Sequence, residues 1–189
     1  ILEDQVWPKK CGHMNEKRVV DTDEHVRRIR AAADVRDERD SDFVIIGRTD
    51  AREPHDLDEA IERGHAYANA GADVVFVEAP ESRAELERVA DAFAVPTFAN
   101  MVEGGKTPVL PADELESIGF DIVVYPLTAL FAATQAMQDA YETLATEGTT
   151  TGVDGVSFGE FEGVVDAPGY REQEARYTGA ETEDDERTE

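Results

Sequence analysis

The chain has 189 residues, of which 41% are hydrophobic and 7% aromatic, values typical of a folded protein. Acidic residues outnumber basic ones by 43 to 18, and the net charge of -25 disfavours a nucleic-acid partner and favours a surface adapted to high salt. One cysteine excludes an intramolecular disulfide, and no apolar run is long enough to cross a membrane, so we expect a cytoplasmic protein without a membrane partner.

Short apolar runs alternate with amphipathic stretches, which predicts β/α units around a parallel sheet. The predicted strands are 1–3, 43–47, 74–77, 97–99 and 122–125, and the predicted helices are 24–37, 57–70, 83–93, 112–118 and 127–147. Thr22 is expected to cap the first helix, and Ser82 with Glu85 to form a capping box. Three glycines are expected to end helices: Gly71, Gly119 and Gly148.

Five β units are three too few for a closed eight-stranded barrel, which typically needs roughly 250 residues. We therefore predict an α/β fold over residues 1–148 that is an incomplete (β/α)8 TIM-type barrel, its C-terminal portion from about strand 4 to strand 8. A five-stranded doubly wound sheet is the alternative, although no glycine-rich phosphate loop follows a strand. Because Ile1 is not a start methionine, we expect the natural chain to begin earlier.

The pattern weakens after residue 148. Short helices are predicted near 158–164 and 170–177, so residues 149–177 are interpreted as a C-terminal helical extension. Residues 178–189 are acidic and almost without apolar side chains, which predicts a disordered tail. An acidic interaction tail is the alternative explanation of the net charge.

Polar side chains stand at the ends of four predicted strands. They are Glu3 and Asp4, Arg48 and Asp50, Glu78, and Asn100. The carboxyl ends of barrel strands meet on one face, where active sites are built. The sequence therefore predicts one site there, together with the loop that carries Cys11.

The segment 3–13 reads Glu-Asp-Gln-Val-Trp-Pro-Lys-Lys-Cys-Gly-His and resembles the signature of isocitrate and 2-methylisocitrate lyases. The likeness continues through residues 42–51, 59–63, 70–73, 78–80, 100–108 and 125–127. By these motifs, over about residues 1–148, the chain is identified as a member of the isocitrate lyase and phosphoenolpyruvate mutase superfamily, closest to the 2-methylisocitrate lyase branch.

The resemblance implies a lyase that depends on Mg²⁺, with Mn²⁺ as a substitute, and cleaves a carbon–carbon bond of a 2-hydroxy di- or tricarboxylate. Substrates similar to 2-methylisocitrate, isocitrate or dimethylmalate would give a keto acid and a dicarboxylate. It also implies a homotetramer in which helices around 158–177 pack on or exchange with a neighbour. The implied catalytic residues are Cys11, His13 and Glu78, and the implied substrate-binding residues are Cys11, Gly12, Arg48, Glu78 and Asn100.

Cys11 resembles the acid that protonates the carbanion left after cleavage. Lys9, Lys10 and a charged His13 are expected to tune proton release from its thiol. Gly12 would let the backbone approach the substrate and let the loop close. A buried structural cysteine is the alternative, and the polar, cationic loop disfavours it.

Each remaining site residue has a structural alternative. Arg48 would bind a substrate carboxylate through its two-donor fork, or would form a structural pair with Asp50. Glu78 resembles a substrate-contacting glutamate that accepts a hydrogen bond or helps to move the hydroxyl proton, or is a buried carboxylate bonded to backbone. Asn100 would bind a carboxylate, or is a turn residue.

Glu3 matches a family glutamate that assists the Mg²⁺ site through a metal-bound water. The family's main aspartate ligands would lie on strands outside this chain, so we expect it to bind Mg²⁺ poorly by itself. The run Asp21-Thr22-Asp23 precedes a helix and is interpreted as a cap.

Two departures from the 2-methylisocitrate lyase pattern bear on the substrate. Phe131 stands at about the place of a substrate-binding arginine, which leaves room for a smaller malate-type substrate. The run 104–108 also resembles the dimethylmalate lyase and carboxyphosphonoenolpyruvate mutase branches. The alternatives are a phosphonomutase, a phosphonate hydrolase or an oxaloacetate decarboxylase of the same superfamily, and a truncated, non-catalytic fragment.

Overall fold

The computed structural model describes residues 1–39 and 42–178. The strands in this part of the chain are β1 (Leu2–Glu3), β2 (Ile46–Thr49), β3 (Val74–Val77), β4 (Phe98–Asn100) and β5 (Ile122–Val124). The helices are α1 (Thr22–Glu38), α2 (Leu57–Asn69), α3 (Arg83–Ala92), α4 (Ala112–Ile118), α5 (Thr128–Glu147), α6 (Phe158–Val164) and α7 (Ala167–Thr178). Apart from residue 178, the predicted tail lies outside the described residues.

The strands are parallel and follow one another in space in the order of the sequence. β1 pairs with β2, β2 with β3, and β4 with β5, while a parallel bridge between Val75 and Thr97 joins the two groups. A doubly wound sheet would reverse its strand order at a switch point, whereas a barrel keeps it sequential. The order therefore agrees with the predicted portion of a TIM-type barrel and not with the doubly wound alternative.

The second strand begins three residues later than predicted. The apolar run that suggested a strand from residue 43 includes Phe43 and Val44, which are 67% and 55% exposed. Pairing sets the register instead, because Gly47 lies opposite Val75 and the carboxylate of Asp73 accepts a hydrogen bond from the Ile45 backbone at 2.8 Å. As a result, Arg48 lies within β2 rather than after it.

Two of the predicted helix starts differ in detail. Helix α1 is preceded by Asp21 as its N-cap, so the prediction that Thr22 caps it is wrong. Ser82 accepts a hydrogen bond from the Glu85 backbone at 3.2 Å, as predicted. However, the Glu85 carboxylate accepts a hydrogen bond from the Glu81 backbone at 2.8 Å. This bond replaces the one that a capping box would have from the Ser82 backbone to the Glu85 side chain.

Apolar side chains of the strands pack together on both faces of the sheet. On one face Val75, Val77 and Ala99 pack against helices in a cluster with Leu86, Val89 and Leu115. On the other face Val74, Phe76 and Phe98 form a separate cluster. Because successive side chains of a strand alternate between faces, β3 is buried along its whole length, as expected for a barrel strand.

The chain divides into two compact units, Ile1–Ala133 and a second that begins at Thr134. This boundary lies within α5, whereas the sequence suggested one after residue 148. In the second unit, α6 and α7 bury no residue, and Arg171 forms an ion pair with Glu162 across them at 2.5 Å. Among the described helices, none combines the length and the apolar character that a membrane span requires.

Candidate active site

A cavity of about 310 Å³ lies in the first unit, where the strands β1 to β4 end. The side chains and backbone that surround it come from the loop after β1, from the strand ends and from the residues after β5. They are Glu3, Lys9, Lys10, Cys11, Gly12, His13, Arg48, Glu78, Asn100, Val102, Pro126 and Leu127. The structure thus brings every predicted site residue to one cavity, although the roles of these residues stay predictions.

Arg48 is held by two buried carboxylates. Its Nε and Nη2 atoms donate to Asp50 at 2.8 and 2.9 Å, and Nη2 also lies 3.2 Å from Glu78 Oε2. Burial opposes the charge, but the hydrogen bonds with Asp50 and the charge of Glu78 leave the pKa of Arg48 raised, so it is cationic. The structural pair with Asp50 therefore exists and occupies the two-donor fork. Within the described residues, Nη1 has no recorded partner and is the donor available to a ligand.

Glu78 follows β3 directly and is 1% exposed; together with Arg48 and Asn100 it forms the strand-end side of the cavity, which we call the floor. Asn100 Nδ2 donates to its Oε1 at 3.4 Å, and His13 Nε2 lies 3.1 Å from the same oxygen without hydrogen-bond alignment. Burial alone would raise the pKa of Glu78, but the nearby Nε2–H of His13 and the charges of Arg48 and Lys17 outweigh it and leave the pKa lowered. The carboxylate is thus ionised, which suits an acceptor of hydrogen bonds better than a base.

The backbone at Gly12 lies directly on this floor. A Cβ atom at this position would overlap Cγ and Cδ of Glu78 and would lie 2.7 Å from Arg48 Nη2. The close approach that the sequence suggested for this glycine is therefore present, and it is made to protein side chains.

His13 joins the Cys11 loop to a second loop. Its Nδ1 atom accepts a hydrogen bond from the Lys106 backbone at 3.0 Å, and a Cβ at Gly105 would lie 2.5 Å from that nitrogen. Because Nδ1 acts as an acceptor, it carries no proton. The imidazole proton is then on Nε2, and the ring is neutral in this arrangement. The charged His13 expected from the sequence is not the form that this contact supports.

Cys11 is a free, exposed cysteine on the rim of the cavity. The two lysines expected to tune it are directed to carboxylates, since Lys9 Nζ lies 2.7 Å from Glu3 Oε1 and Lys10 Nζ lies 3.1 Å from Glu16 Oε2. Both cations remain in the loop beside the thiol, with part of their charge compensated.

The residues present do not by themselves fit a Mg²⁺ ion. Among the described residues, no three or more His, Cys, Asp or Glu side chains are grouped closely enough to hold a metal. Glu3 is the candidate assisting ligand, but its carboxylate contacts Lys9 and lies 3.7 Å from Arg48 Nε. A divalent cation needs oxygen ligands that are not already paired with cations.

Asp4, which the strand-end pattern grouped with the site, has a structural role instead. It is fully buried and accepts hydrogen bonds from the Thr49 hydroxyl at 2.8 Å, the Asp50 backbone at 2.9 Å and the Tyr67 hydroxyl at 2.7 Å. These bonds tie the end of β1 to β2 and α2, which positions Arg48 and the start of the loop.

Lys17 supports the site from beneath the Cys11 loop without lining the cavity, and the sequence did not reveal it. It is only 3% exposed, its Nζ donates to the Gly12 carbonyl, and the same atom lies 3.8 Å from Asp50 Oδ1. Lysine is usually exposed, and a single sequence gives no signal that distinguishes a buried loop lysine from a solvated one.

The sequential parallel strands and the polar cluster at their carboxyl ends define the class: a β/α barrel portion with its site on the strand-end face. The chain belongs to the phosphoenolpyruvate phosphomutase family, whose model matches residues 1–145. This family places it in the isocitrate lyase and phosphoenolpyruvate mutase superfamily, which confirms the resemblance found in the sequence.

Two curated relatives are lyases by name. The chain is 46% identical over 178 residues to the 2,3-dimethylmalate lyase of Eubacterium barkeri, covering 93% of this chain and 61% of that protein. It is 45% identical over 152 residues to the 2-methylisocitrate lyase of Escherichia coli (strain K12), covering 80% and 51%. The chain thus spans between about half and three-fifths of the length of these relatives.

Solved structures with similar folds include members of the same superfamily. A 2,3-dimethylmalate lyase superposes with a TM-score of 0.86 at 38% identity, covering 93% of this chain and 59% of that chain. A phosphonopyruvate hydrolase solved with oxalate and Mg²⁺ superposes with a TM-score of 0.74 at 27% identity, covering 94% and 62%.

Proposed function

We propose that this chain carries the proton-donating loop and the carboxylate-binding strand ends of a carbon–carbon lyase that acts on a 2-hydroxy dicarboxylate. The observation that carries the proposal is one cavity that has a free thiol, Cys11, on its rim and a cationic guanidinium, Arg48, on its floor. The names of the two curated relatives support the class of reaction.

The chemistry follows from the properties of the lining groups. Arg48 would bind a substrate carboxylate through Nη1, and the second N–H of Asn100 Nδ2, whose first donates to Glu78, would help to orient it. The ionised Glu78 would accept a hydrogen bond from the substrate hydroxyl. A base that these groups do not supply would take the hydroxyl proton, and the carbon–carbon bond would break to release a keto acid. Cys11 would then donate a proton to the α-carbon of the enolate-like carboxylate that remains.

The composition of the cavity favours a dicarboxylate over a tricarboxylate. Arg48 is the only arginine that lines it within the described residues, and most of its donors are already used. Phe131 lies on α5 and is absent from the lining, so no second guanidinium replaces the expected one. The lining also includes three apolar residues, Val102, Pro126 and Leu127, which would suit an alkyl substituent.

Divalent metal dependence is part of the proposal. It is supported by the Mg²⁺ in the related phosphonopyruvate hydrolase, whereas the candidate ligand in the described part of this chain, the Glu3 carboxylate, is already paired with Lys9. The remaining ligands would have to come from outside these residues. The homotetramer also stays a prediction, supported by exposed apolar side chains on α6 and α7 such as Phe158 and Tyr177, which are 81% and 80% exposed.

The test is turnover of the protein with Mg²⁺ on four compounds: 2,3-dimethylmalate, 2-methylisocitrate, isocitrate and phosphonopyruvate. The released keto acid is measured by its reduction with NADH, and phosphate is measured in parallel. We expect keto acid without phosphate, with the dicarboxylate 2,3-dimethylmalate preferred. Phosphate release from phosphonopyruvate alone would instead favour the phosphonate-active alternative.

Cys11→Ser separates the proposed mechanism from simple binding. Loss of a general acid typically costs about 10²- to 10⁴-fold in rate, so kcat should fall within that range while KM changes little. A kcat equal to that of the unaltered protein would remove Cys11 from the mechanism. Slower alkylation of Cys11 in the presence of pyruvate or propanoate would show, without turnover, that products occupy the cavity beside it.

A further inference from the structure

Lys17 is a buried cation outside the predicted set of site residues. Its Nζ contacts two parts of the molecule at once, the Gly12 carbonyl in the Cys11 loop and Asp50 at the end of β2. Burial lowers the pKa of Lys17, although the carboxylates of Asp50 and Glu78 act in the opposite direction. A lysine in such a position costs free energy unless its contacts compensate, so a specific role has to be sought.

The first contact determines where the Cys11 loop lies. The Gly12 backbone already touches Glu78 and Arg48 with no space for a methyl group, so the loop cannot move closer to the floor. The bond from Lys17 to the Gly12 carbonyl prevents it from moving away. The backbone N–H groups of Glu16 and Lys17 donate to the carboxylate of Glu53 at 3.1 and 3.2 Å, which anchors the other end of the same segment.

The second contact completes the charge balance of the floor. Asp50 and Glu78 are both buried carboxylates, and one guanidinium, Arg48, is shared between them. His13 is neutral in its hydrogen-bonded form, so it adds no positive charge. Lys17 is therefore the second cation that two buried anions require.

We propose that Lys17 is a positioning residue, which holds Gly12 against the Asp50–Arg48 pair and so sets the height of the Cys11 thiol above the substrate. Its effect on proton transfer rests on the proposed function, whereas its effect on the loop does not. A lysine suits this role because its single ammonium group donates in several directions from a narrow stem.

Two substitutions separate the hydrogen bond from the charge. Lys17→Met removes both, and Lys17→Gln keeps a donor for the Gly12 carbonyl without the charge. Hydrogen–deuterium exchange of the peptide 9–18 reports on the loop, and exchange of α2 (Leu57–Asn69) reports on the fold. We expect at least tenfold faster exchange of the loop in Lys17→Met, a smaller increase in Lys17→Gln, and little change in α2.

Unchanged loop exchange in Lys17→Met would overturn the proposal, whether or not the protein proves to be a lyase. If Lys17→Met does not fold, the double variant Lys17→Met with Asp50→Asn removes the unpaired buried anion and is measured instead, with the same two outcomes. Where turnover is measurable, both single variants should lower kcat more than they raise KM. A change in KM alone would contradict a role in placing the proton donor.

Discussion

Gly12→Ala probes the contact on which the closed position of the Cys11 loop depends. The new methyl group would overlap Glu78 and lie 2.7 Å from Arg48 Nη2, and Glu78 cannot swing aside cheaply because it is 1% exposed and paired with Arg48. Overpacking of this kind typically costs about 1–3 kcal/mol. Displacement of the loop away from Glu78 relieves this overlap, so this energy should shift the loop towards a displaced position by about 5- to 150-fold.

Hydrogen–deuterium exchange measures this shift directly, since exchange of the loop amides follows the ratio of displaced to closed loop. We expect exchange of residues 9–18 to rise within that range while α2 stays unchanged. Gly159→Ala is the matched control, because a Cβ there meets no atom within 4 Å. Exchange that is equally slow in Gly12→Ala and in the unaltered protein would refute the packing of Gly12 on Glu78.

Two further predictions concern stability. His25 is fully buried against Tyr67, and burial lowers its pKa. Above the ordinary histidine pKa near 6.5, His25 should therefore cause no change of the unfolding free energy with pH. At lower pH the unfolding free energy should decrease, by at most about 1.4 kcal/mol per pH unit, because the unfolded chain binds the proton more readily. Urea titrations at pH 7.5 and 5.5 should show this loss, and His25→Leu should reduce it; an equal loss in both would exclude His25 as its source. The net charge of -25 predicts a melting temperature that rises between roughly 0.1 and 1 M KCl, because the screening length falls from about 10 to 3 Å; a decrease would show that ion pairs dominate.

The sequence predicted the fold well where the apolar periodicity and the residues that end helices and strands agree. The strand Val74–Val77 was predicted to the residue, and Gly119 ends α4 in the left-handed conformation, at φ 116°. It failed at β2, where an apolar run starting at Phe43 suggested a strand that pairing with β3 places three residues later. Register is a tertiary property, since hydrogen bonds to a neighbouring strand decide it and local hydrophobicity does not.

The candidate site was predictable for a different reason. Parallel strands place their carboxyl ends on one face, so residues such as Glu78 and Asn100 could be grouped before any coordinates were known. The partners of these groups were only partly predictable. The pair of Arg48 with Asp50 was one of two alternatives that the sequence left open, and the structure decides it. The inward position of Lys17 was not predicted, because its contact with a buried carboxylate depends on distances in the folded chain.

The distribution of cations links the site to the rest of the molecule. Lysine occurs only at positions 9, 10, 17 and 106, and all four positions lie in the two loops joined by His13; every other cation of the chain is arginine. Arginine forms rigid, planar pairs, as Arg52 does with Glu85, whereas lysine moves on a flexible stem. Two of the loop lysines, Lys9 and Lys10, are partly exposed and pair with Glu3 and Glu16, whereas Lys17 is buried and holds the Cys11 loop beside Asp50. The floor beneath this loop is held by Arg48 in a two-donor pair with the same aspartate, so Asp50 connects the arginine-held floor of the proposed lyase to its lysine-held loop.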